Sequence, residues 1–339
     1  MIEKDIKYKV CTRCFTFNQA SYIEDAMNGF TMQETTFPVV TLIVDDASTD
    51  SEPEVIQNYL KKHFQEPYRK EETDYAHIIC AHHKTNPYCD FVVFLLKYNH
   101  YSVKKPKMPY IVEWTDNAKY HAICEGDDYW IDKNKLQKQV DFLEQNREYV
   151  LTYTNAIVVD KDSNVINQLT HKRYSGTCNK SLITEGNYII TAGVCYRNKY
   201  DKEWSEVRTS IPFALMLGDK PLWIMLSTKG KFHFLEDYMV AYRKLEQSAS
   251  HTKDYNKAMR YSDNVRDINL FFNKFYDLGI SEKRIQQDSK LHRLRASYLL
   301  NWSPFLINHI KVLLNNPGLL LRKEYFKALI YSMKSKLSI

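Results

Sequence analysis

The chain has 339 residues and a formal net charge of +6, which allows one large domain with an appendage or two modest domains. Its nine glycines and the lack of a Walker or dinucleotide-binding fingerprint argue against a glycine-rich phosphate loop. Seven cysteines without the spacing of a small secreted domain indicate reduced thiols, and the charged first residues lack the apolar segment of a signal peptide. We therefore expect a cytoplasmic protein without a membrane-spanning helix.

The N-terminal part of the chain has the pattern of alternating strands and helices. Lys7 to Cys14 shows the alternation and the β-branched content of a strand, and Thr41 to Val44 is a second apolar run of that kind. A helix is predicted after each strand, the first opened by a capping box at Ser21 and Glu24 and the second beginning near Ser51. This order predicts an α/β fold with a mostly parallel sheet and right-handed crossovers.

Two acidic clusters, Asp45-Asp46 and Glu125-Gly126-Asp127-Asp128, each follow a short apolar run. A buried parallel strand delivers side chains in this way to the edge of the sheet where open α/β folds bind ligands. Adjacent carboxylates repel each other, so the second cluster is costly unless a cation neutralises it. The pattern predicts an enzyme that uses a divalent metal to bind a nucleotide-linked substrate. For Asp50 and Ser51 we expect a simpler role, the capping of the second helix.

An amphipathic helix is predicted after the second acidic cluster. Leu136, Val140 and Leu143 lie at helical spacing and form its apolar side. Lys135, Lys138 and Gln139 then fall on the other side of the helix, where we expect them to be exposed.

Side chains of the types that bind metals crowd into 13 residues of the chain: His77, Cys80, His82, His83 and Cys89. Their spacing matches no standard zinc module, so we expect loop or strand residues here, and the sequence leaves open whether they bind a metal ion. Cys11 and Cys14 lie in the first predicted strand without a second such pair, so they indicate no zinc site either.

The C-terminal region is basic and has a helical pattern. After residue 250, 16 lysines and arginines stand against seven acidic residues. Its last segment carries an apolar stripe among basic residues, the pattern of a helix that lies on a surface. The stripe consists of Phe326, Leu329, Ile330, Met333 and Leu337. We predict contact of these C-terminal helices with an anionic membrane surface; docking on the chain's own domain or on a partner in a homodimer is the alternative. Nucleic-acid binding is not predicted, because no recognised module is present.

In their order and spacing these motifs resemble those of the family-2 glycosyltransferases, which have a nucleotide-diphospho-sugar transferase fold of the GT-A type. The resemblance covers about residues 7 to 250 and rests on five segments: Thr16-Phe17-Asn18-Gln19, Asp45 to Asp50, Glu125 to Trp130, Lys135 to Gln139 and Tyr242-Arg243. It implies a single Rossmann-like sheet in a catalytic domain over residues 1–250. Residues 1–130 would be its nucleotide-binding half and 131–250 its acceptor-side half, followed by a helical region at 251–339.

The resemblance implies a nucleotide pocket formed by side chains at the first two strands. Thr12 and Asn18 would line it, and Asp46 or its neighbour Asp45 would accept a hydrogen bond from the imide N–H of the base. Arg243 would contact the diphosphate, because its planar guanidinium matches phosphate geometry. A buried ion pair with a carboxylate is the alternative for this residue.

The resemblance also implies a divalent metal, Mg²⁺ or Mn²⁺, at the second acidic cluster. Asp128 would bind the metal that bridges the diphosphate, and Asp127 would lie near the ribose or the water shell of the metal. Glu125 departs from a plain Asp-x-Asp pattern and would act behind the ligands. A hard cation stabilises the negative charge that develops on a nucleoside diphosphate as it leaves.

An inverting transferase needs a base that takes the proton of the acceptor hydroxyl. Where the family often has a Gly-Asp pair, this chain has Gly218-Asp219, and the resemblance assigns the base to Asp219. Glu236 and Asp237 are the rival candidates, and a helix N-cap is the structural alternative for Asp219.

The implied activity is the transfer of a sugar, with inversion, from a nucleotide diphosphate-sugar to a hydroxyl of a glycan or lipid-linked acceptor, with UDP as the expected nucleotide. A catalytically degenerate transferase fold that binds a glycan or serves as a scaffold is the first alternative. A sugar-nucleotide nucleotidyltransferase is the second. It would need a basic phosphate loop after the first strand, where Arg13 stands alone and no glycine-rich turn follows.

Overall fold

The computed structural model describes residues 6–169, 174–245 and 254–300, together with Leu314. These residues divide into two compact units. The first contains the residues up to 177, 188–206 and 229–243, and the second contains 178–187, 207–228 and the residues from 244 onward. The predicted division at residue 250 stays a prediction, and the predicted apolar stripe from Phe326 to Leu337 lies outside the described residues.

Eleven strands of the described residues form one sheet, and all of them belong to the first unit. In chain order they are β1 (Tyr8–Thr16), β2 (Val39–Asp45), β3 (Arg69–Glu72), β4 (Ala76–His82), β5 (Cys89–Leu96), β6 (Ala118–Ile123), β7 (Tyr129–Trp130), β8 (Tyr149–Val159), β9 (Val165–Leu169), β10 (Cys195–Arg197) and β11 (Lys231–Arg243). Across the sheet the order is β3-β4-β5-β2-β1-β6-β10-β8-β11-β7, with β9 beside β8.

The centre of the sheet is parallel. Strands β5, β2, β1 and β6 are neighbours that run in the same direction, and β8 and β11 form a further parallel pair. Antiparallel strands extend the sheet on either side of this centre. Every residue of β2 and β5 is buried, as expected for parallel strands that are covered on both faces. The predicted α/β fold with one central sheet is confirmed.

Helices cover both faces of this sheet. On one face lie α1 (Ile23–Thr31), α2 (Glu52–His63) and α4 (Lys135–Gln145), and on the other lies α3 (Met108–Thr115). A helix follows each of the first two strands, as predicted. The predicted capping box is wrong, because α1 begins only after Tyr22 and its start has no side-chain cap among the described residues.

The second unit, as far as the structure describes it, is helical. It contains α5 (Asn179–Thr184), α7 (Asp219–Ser227), α8 (Tyr255–Phe275) and α9 (Glu282–Leu300), while α6 (Asp201–Ser210) passes from the first unit into the second. The predicted C-terminal helical region is confirmed for α8 and α9. Among the described helices, none combines the length and the apolar character that a membrane crossing requires.

Candidate active site

The polar motifs of the sequence meet where the central parallel strands end. Thr16 and Asp45, the last residues of β1 and β2, lie side by side in register, and β6 ends at Ile123 on the other side of β1. The turns after these three strands therefore meet at one edge of the sheet. Open α/β folds bind their ligands at this edge.

Asn18 ties the turn after β1 to the turn after β2. Its Oδ1 accepts hydrogen bonds from the backbone N–H of Thr49 (2.7 Å) and of Asp50 (3.4 Å), and its own backbone N–H donates to Ser48 Oγ (2.8 Å). Asn18 has a left-handed backbone, with φ of 54°, which asparagine tolerates better than most residues. This predicted pocket residue thus holds the shape of both turns.

Asp50 lies one residue before the N-cap of the second helix and bonds to the first residue of that helix. Its Oδ1 accepts the backbone N–H of Glu52 (3.0 Å), and its Oδ2 accepts the backbone N–H of Ala20 (3.1 Å). Ser51 occupies the N-cap position itself, but its side chain makes no capping hydrogen bond within the described residues. The carboxylate of Asp50 is therefore a structural link between the two turns.

Glu52 is the buried centre of this network. Its carboxyl group contacts the hydroxyl of Thr16, the backbone N–H of Gln19 (2.8 Å) and the hydroxyl of Ser48 (2.8 Å). Burial raises the pKa of Glu52. The sequence pattern does not single out this residue, because a glutamate in the first turn of a helix is favoured by the helix dipole and is usually exposed.

The side chain of Asp45 contacts Ser48, in the turn that follows β2. Its carboxyl group accepts the backbone N–H of Ser48 (3.3 Å) and contacts the Ser48 hydroxyl. The side chain is 1% exposed. Burial, to which the charge of Glu52 adds, raises the pKa of Asp45 to about 6.

Asp46 holds the segment that follows β5, residues 98–107, which we name loop 98–107. Its Oδ1 accepts the backbone N–H of His100 (2.8 Å), and its Oδ2 accepts the backbone N–H of Tyr101 (3.1 Å) and the ammonium of Lys107 (2.8 Å). Both carboxylate oxygens are thus bonded to the loop. The predicted contact of Asp46 with a nucleotide base stays a prediction.

Thr12 does not lie with these residues at the edge. It is fully buried in the middle of β1, between Thr41 of β2 and Ala122 of β6. Its hydroxyl has no hydrogen-bond partner among the described residues. Four residues separate it from the end of the strand, which is about 13 Å of extended chain. Its predicted place in the nucleotide pocket stays a prediction.

Asp127 and Asp128 lie in the turn between β6 and β7, residues 124–128, which we name the acidic turn. Asp128 is 4% exposed, and its Oδ1 accepts the backbone N–H of Arg243 (2.8 Å). Burial raises the pKa of both carboxyl groups, and the charge of Asp127 raises that of Asp128 further. A cation beside these two adjacent, buried carboxyl groups would relieve their repulsion.

Gly126 lets the acidic turn approach the turn after β1. A Cβ atom at this position would lie 2.5 Å from Thr16 Oγ1 and 2.6 Å from Gln19 Oε1, which is closer than such atoms can approach. The side chain of Gln19 also bonds to the carboxyl group of Asp127. The acidic turn and the network around Glu52 are therefore in direct contact.

Arg243, the last residue of β11, is buried beside the acidic turn and is 1% exposed. Its Nε donates to the carbonyl of Asp127 (2.9 Å), its Nη2 to Asp25 Oδ2 (2.8 Å), and its Nη1 to the carbonyl of Asp160 (3.2 Å) and to Ser163 Oγ (3.0 Å). Arg243 thus forms an internal ion pair, as in the alternative for this residue, but only the guanidinium is buried, since the side chain of Asp25 is 43% exposed. Its contact with a diphosphate stays a prediction.

Lys138 of α4 is exposed, as expected, but Lys135 and Gln139, which we expected on the same side, are buried. The ammonium of Lys135 lies 4.2 Å from the centroid of the Trp130 ring and donates to Gln139 Oε1 (2.9 Å), and Gln139 Nε2 donates to the carbonyl of Gly193 (2.9 Å). The expectation was wrong because these polar groups satisfy each other inside the protein. They hold Trp130, two residues after Asp128, in place.

Among the described residues, no group of three or more histidine, cysteine, aspartate or glutamate side chains is arranged so that it could hold a metal ion by itself. His77, Cys80 and His82 lie on β4 and Cys89 lies on β5, so they are strand residues, as expected. The histidines have other partners, because His77 pairs with Glu72, His82 Nδ1 lies 2.6 Å from Asp90 Oδ1, and His83 Nδ1 accepts the backbone N–H of Asn86 (3.0 Å).

Asp219 is the first residue of α7, in the second unit. Its Oδ2 accepts a hydrogen bond from Asn187 Nδ2 (2.7 Å), and its Oδ1 accepts the backbone N–H of Lys220 (2.7 Å). Gly218 occupies the N-cap position, so the structure does not show the N-cap that was the alternative for Asp219. Its role as the catalytic base stays a prediction.

The rival candidates for the base, Glu236 and Asp237, lie at an irregularity of β11 in the first unit. The register of β11 against β8 shifts there, and both side chains are exposed. Asp237 Oδ2 lies 3.5 Å from the ammonium of Lys138 on α4. About 20 Å of strand separates Asp237 from Arg243, so this pair is not brought to the acidic turn.

No family model matches this chain. Its relatives include uncharacterized protein Rv1520 of Mycobacterium tuberculosis and uncharacterized protein Mb1547 of Mycobacterium bovis, each 28% identical over 233 residues. The match covers 68% of this chain and 57% of either relative. The chain therefore spans little more than half the length of the curated relatives it matches.

Solved structures that the chain resembles include residues 1–349 of TarS from S. aureus in complex with UDP-GlcNAc. The TM-score is 0.46 at 15% identity, over 96% of this chain and 79% of that one. A second is the mannosyltransferase PcManGT from Pyrobaculum calidifontis in complex with GDP-Man and Mn²⁺, with a TM-score of 0.47 at 12% identity, over 98% and 89% of the two chains. These scores are too low to carry an argument about function.

Proposed function

We propose that this chain is a metal-dependent glycosyltransferase that uses a nucleotide diphosphate-sugar as its donor. The observation that carries the proposal is the meeting of three turns at the carboxyl edge of the parallel strands: those that contain Asn18, Asp45-Asp46 and Asp127-Asp128. The arrangement agrees with the motifs that resemble the family-2 glycosyltransferases. We expect UDP as the nucleotide and a hydroxyl of a glycan or lipid-linked molecule as the acceptor.

Asp128 and Asp127 would hold the cation, Mg²⁺ or Mn²⁺. The raised pKa of both carboxyl groups, together with the negative charge of Glu125 near Asp128, supports a cation at this turn. Mg²⁺ commonly takes one or two protein carboxylates and completes its shell with phosphate oxygens and water, so a sparse ligand set fits it. When bound, the metal would stabilise the negative charge on the leaving diphosphate.

The nucleotide would lie against the turns after β1 and β2. Asn18 would shape the pocket, with Thr12 behind it in the strand. Asp46 would accept the imide N–H of the base in addition to its hydrogen bonds from loop 98–107, since a carboxylate can accept about four. Arg243 would act on the diphosphate side, where its hydrogen bonds to the acidic turn support the proposed metal ligands.

The acceptor hydroxyl would lose its proton to Asp219 as its oxygen attacks the anomeric carbon, with inversion. In a single displacement with inversion, the diphosphate leaves on the side of that carbon opposite to the attacking oxygen. Asn187 and the backbone N–H of Lys220 orient the carboxylate of Asp219 for this role. We prefer Asp219 to Asp237, which pairs with a lysine on α4.

We also propose that the protein works in the cytoplasm and that its basic C-terminal helices contact an anionic membrane surface. The excess of lysine and arginine after residue 250 supports this proposal. Flotation with anionic liposomes at low salt tests it, and no binding under those conditions would end it.

A thermal-shift panel of UDP, GDP and CDP, each with and without Mn²⁺, tests the proposed activity at its first step. A ligand at about 100 times its dissociation constant stabilises a protein by about 2.7 kcal/mol. We expect stabilisation by one nucleotide that requires Mn²⁺ and is lost in Asp128→Asn. Asp141→Asn, an exposed control on α4, should keep it.

Stabilisation by no nucleotide would favour the degenerate, scaffold-type alternative over an enzyme. Where one nucleotide binds, incubation with the matching nucleotide sugars and analysis of the product anomer by NMR decide between inversion and retention. Retention would overturn the assignment of a single displacement with Asp219 as base.

A further inference from the structure

Glu52 and Asp45 contact the same hydroxyl group, that of Ser48. Ser48 Oγ lies 2.8 Å from Glu52 Oε2 and also forms a hydrogen-bond contact with Asp45 Oδ1. The same oxygen accepts the backbone N–H of Asn18 (2.8 Å). A serine hydroxyl has one hydrogen to donate, so it can donate to only one of the two carboxyl groups. The other contact needs a hydrogen on a carboxyl group itself.

The charges around Asp45 and Glu52 also favour a proton on one of the two carboxyl groups. Asp45 and Glu52 are 1% and 0% exposed, and the neighbouring charges that raise their pKa are acidic: Glu52 and Asp46 for Asp45, and Asp50 for Glu52. The titratable groups near Glu52 include Asp45 at the end of β2, Asp50 in the same turn and the thiol of Cys14 in β1, none of which carries a positive charge. Two buried negative charges here would repel without relief, whereas one shared proton leaves a single charge.

We infer that Glu52 is a positioning residue of the nucleotide site and that it shares one proton with Asp45 through the hydroxyl of Ser48. The inference rests on the proposed function, because the site in question is the proposed nucleotide pocket. Glu52 joins the backbone of Gln19 after β1 to Ser48 after β2. Loss of the shared proton turns the contact at Ser48 into a repulsion and loosens the two turns that Asn18 bridges.

The test compares Glu52→Gln, Glu52→Ala and Glu54→Gln in the full chain. Glutamine has the shape of a protonated glutamate and can donate a hydrogen to Ser48, whereas alanine removes the contacts with both turns. Glu54 is an exposed glutamate in the same turn of α2 and serves as the matched control. The first readout is the affinity for UDP with Mn²⁺, measured by calorimetry between pH 5 and pH 8.

We expect Glu52→Gln to bind UDP within about threefold of the wild type and Glu52→Ala to lose about tenfold or more, because the turns lose a buried partner. We also expect the wild-type affinity to fall as the shared proton leaves with rising pH. Glu52→Gln removes this part of the pH dependence, and Glu54→Gln keeps it. A residue that merely supports the fold would not move the pH profile in this way.

If Glu52→Gln binds as poorly as Glu52→Ala, the carboxylate must be negatively charged and the shared proton is wrong. If Glu52→Ala binds like Glu54→Gln, Glu52 has no positioning role.

A second readout needs no nucleotide: the infrared band of a protonated carboxyl group, which Glu52→Gln should reduce and Glu54→Gln should leave. If the wild type binds no nucleotide diphosphate, the proposed function and the positioning role fail together, while the infrared band still decides whether the proton is shared. If the wild type binds and the variants behave otherwise than expected, the inference alone fails.

Discussion

The backbone N–H of Arg243 donates a 2.8 Å hydrogen bond to the carboxylate of Asp128. The last residue of β11 therefore orients the side chain that we propose as a metal ligand. The guanidinium of the same residue bonds to the carbonyl of Asp127 (2.9 Å), so Arg243 holds both the backbone and a side chain of the acidic turn. A change at Arg243 should alter the stability of this region before it alters any contact with a ligand.

Replacing Arg243 by lysine should destabilise the protein by about 3 kcal/mol, because a lysine cannot reproduce the buried fork and leaves polar groups without a partner. Asp25 and the carbonyl of Asp160 are among the groups affected. Urea denaturation measures the loss. The control is Arg69→Lys, since Arg69 forms a largely exposed ion pair with Glu113, worth less than about 1 kcal/mol. Equal losses in the two variants would contradict a special role of the buried network.

The partners of Arg243 also show where sequence reasoning ends. The carboxylate of Asp25 is 218 residues away in the chain and the carbonyl of Asp160 is 83 residues away. Hydrophobic periodicity describes neighbours within one element, so it can mark β11 as a strand but cannot state what its last side chain will contact. The sequence therefore leaves the choice between a diphosphate and an internal ion pair open, and only the fold shows Asp25 beside the guanidinium.

Strands β1, β2 and β6 could be predicted from the sequence, because apolar runs that alternate with helical patterns leave few alternatives. The hydrogen bond of Asp50 to the start of the second helix agrees with the same local chemistry. The burial of Lys135 and Glu52 could not be predicted, because a polar side chain is expected to be exposed unless its buried partner is known. The features at the edge of the sheet that follow from local rules were thus predicted, and those that depend on three turns meeting were not.

The carboxyl group of Asp45 should make the protein less stable as the pH rises. Its pKa is about 6 in the folded protein, whereas an unfolded aspartate titrates near about 3.9. The folded state therefore holds this proton more tightly, and the stability that the group contributes is complete below the unfolded pKa and is lost as the pH rises through the folded value. The loss amounts to at most about 3 kcal/mol.

Denaturation of the wild type and of Asp45→Asn at a series of pH values between 4 and 8 measures this effect. The advantage of the wild type over the variant should shrink as the pH rises from 4 and level off above the folded pKa. A difference that does not change with pH would mean that Asp45 titrates normally in the folded state.

Ala47, between the two acidic residues and Ser48, has a left-handed backbone with φ of 60°. A side chain with a Cβ atom costs about 1 kcal/mol or more in this conformation relative to glycine. Ala47→Gly should therefore raise the free energy of unfolding by up to about 1 kcal/mol. The control Ala258→Gly, within α8, should lower it by a similar amount, because glycine is unfavourable inside a helix. A loss of stability in Ala47→Gly would show that the turn needs its alanine.

Asp219→Asn should abolish sugar transfer and leave the stabilisation by nucleotide and Mn²⁺ unchanged. The amide keeps the size of the side chain but cannot take a proton from an acceptor hydroxyl. It can keep one of the two hydrogen bonds, to the backbone N–H of Lys220, while its contact with Asn187 is weakened. We expect a loss of stability of about 1 kcal/mol from that change.

Asn187→Ala separates the effect on turnover from the effect on stability. It removes the hydrogen bond between Asn187 and Asp219 but keeps the carboxylate of Asp219. If Asp219 is the base, Asn187→Ala retains most of the turnover at the same cost in stability, and Asp237→Asn, beside α4, retains all of it. Equal loss of turnover in Asp219→Asn and Asn187→Ala would instead mean that the hydrogen bond matters for the shape of α7 and that the base lies elsewhere. Measurement of single-turnover rates with the donor identified by thermal shift keeps the comparison on the chemical step, because slow product release would otherwise hide it.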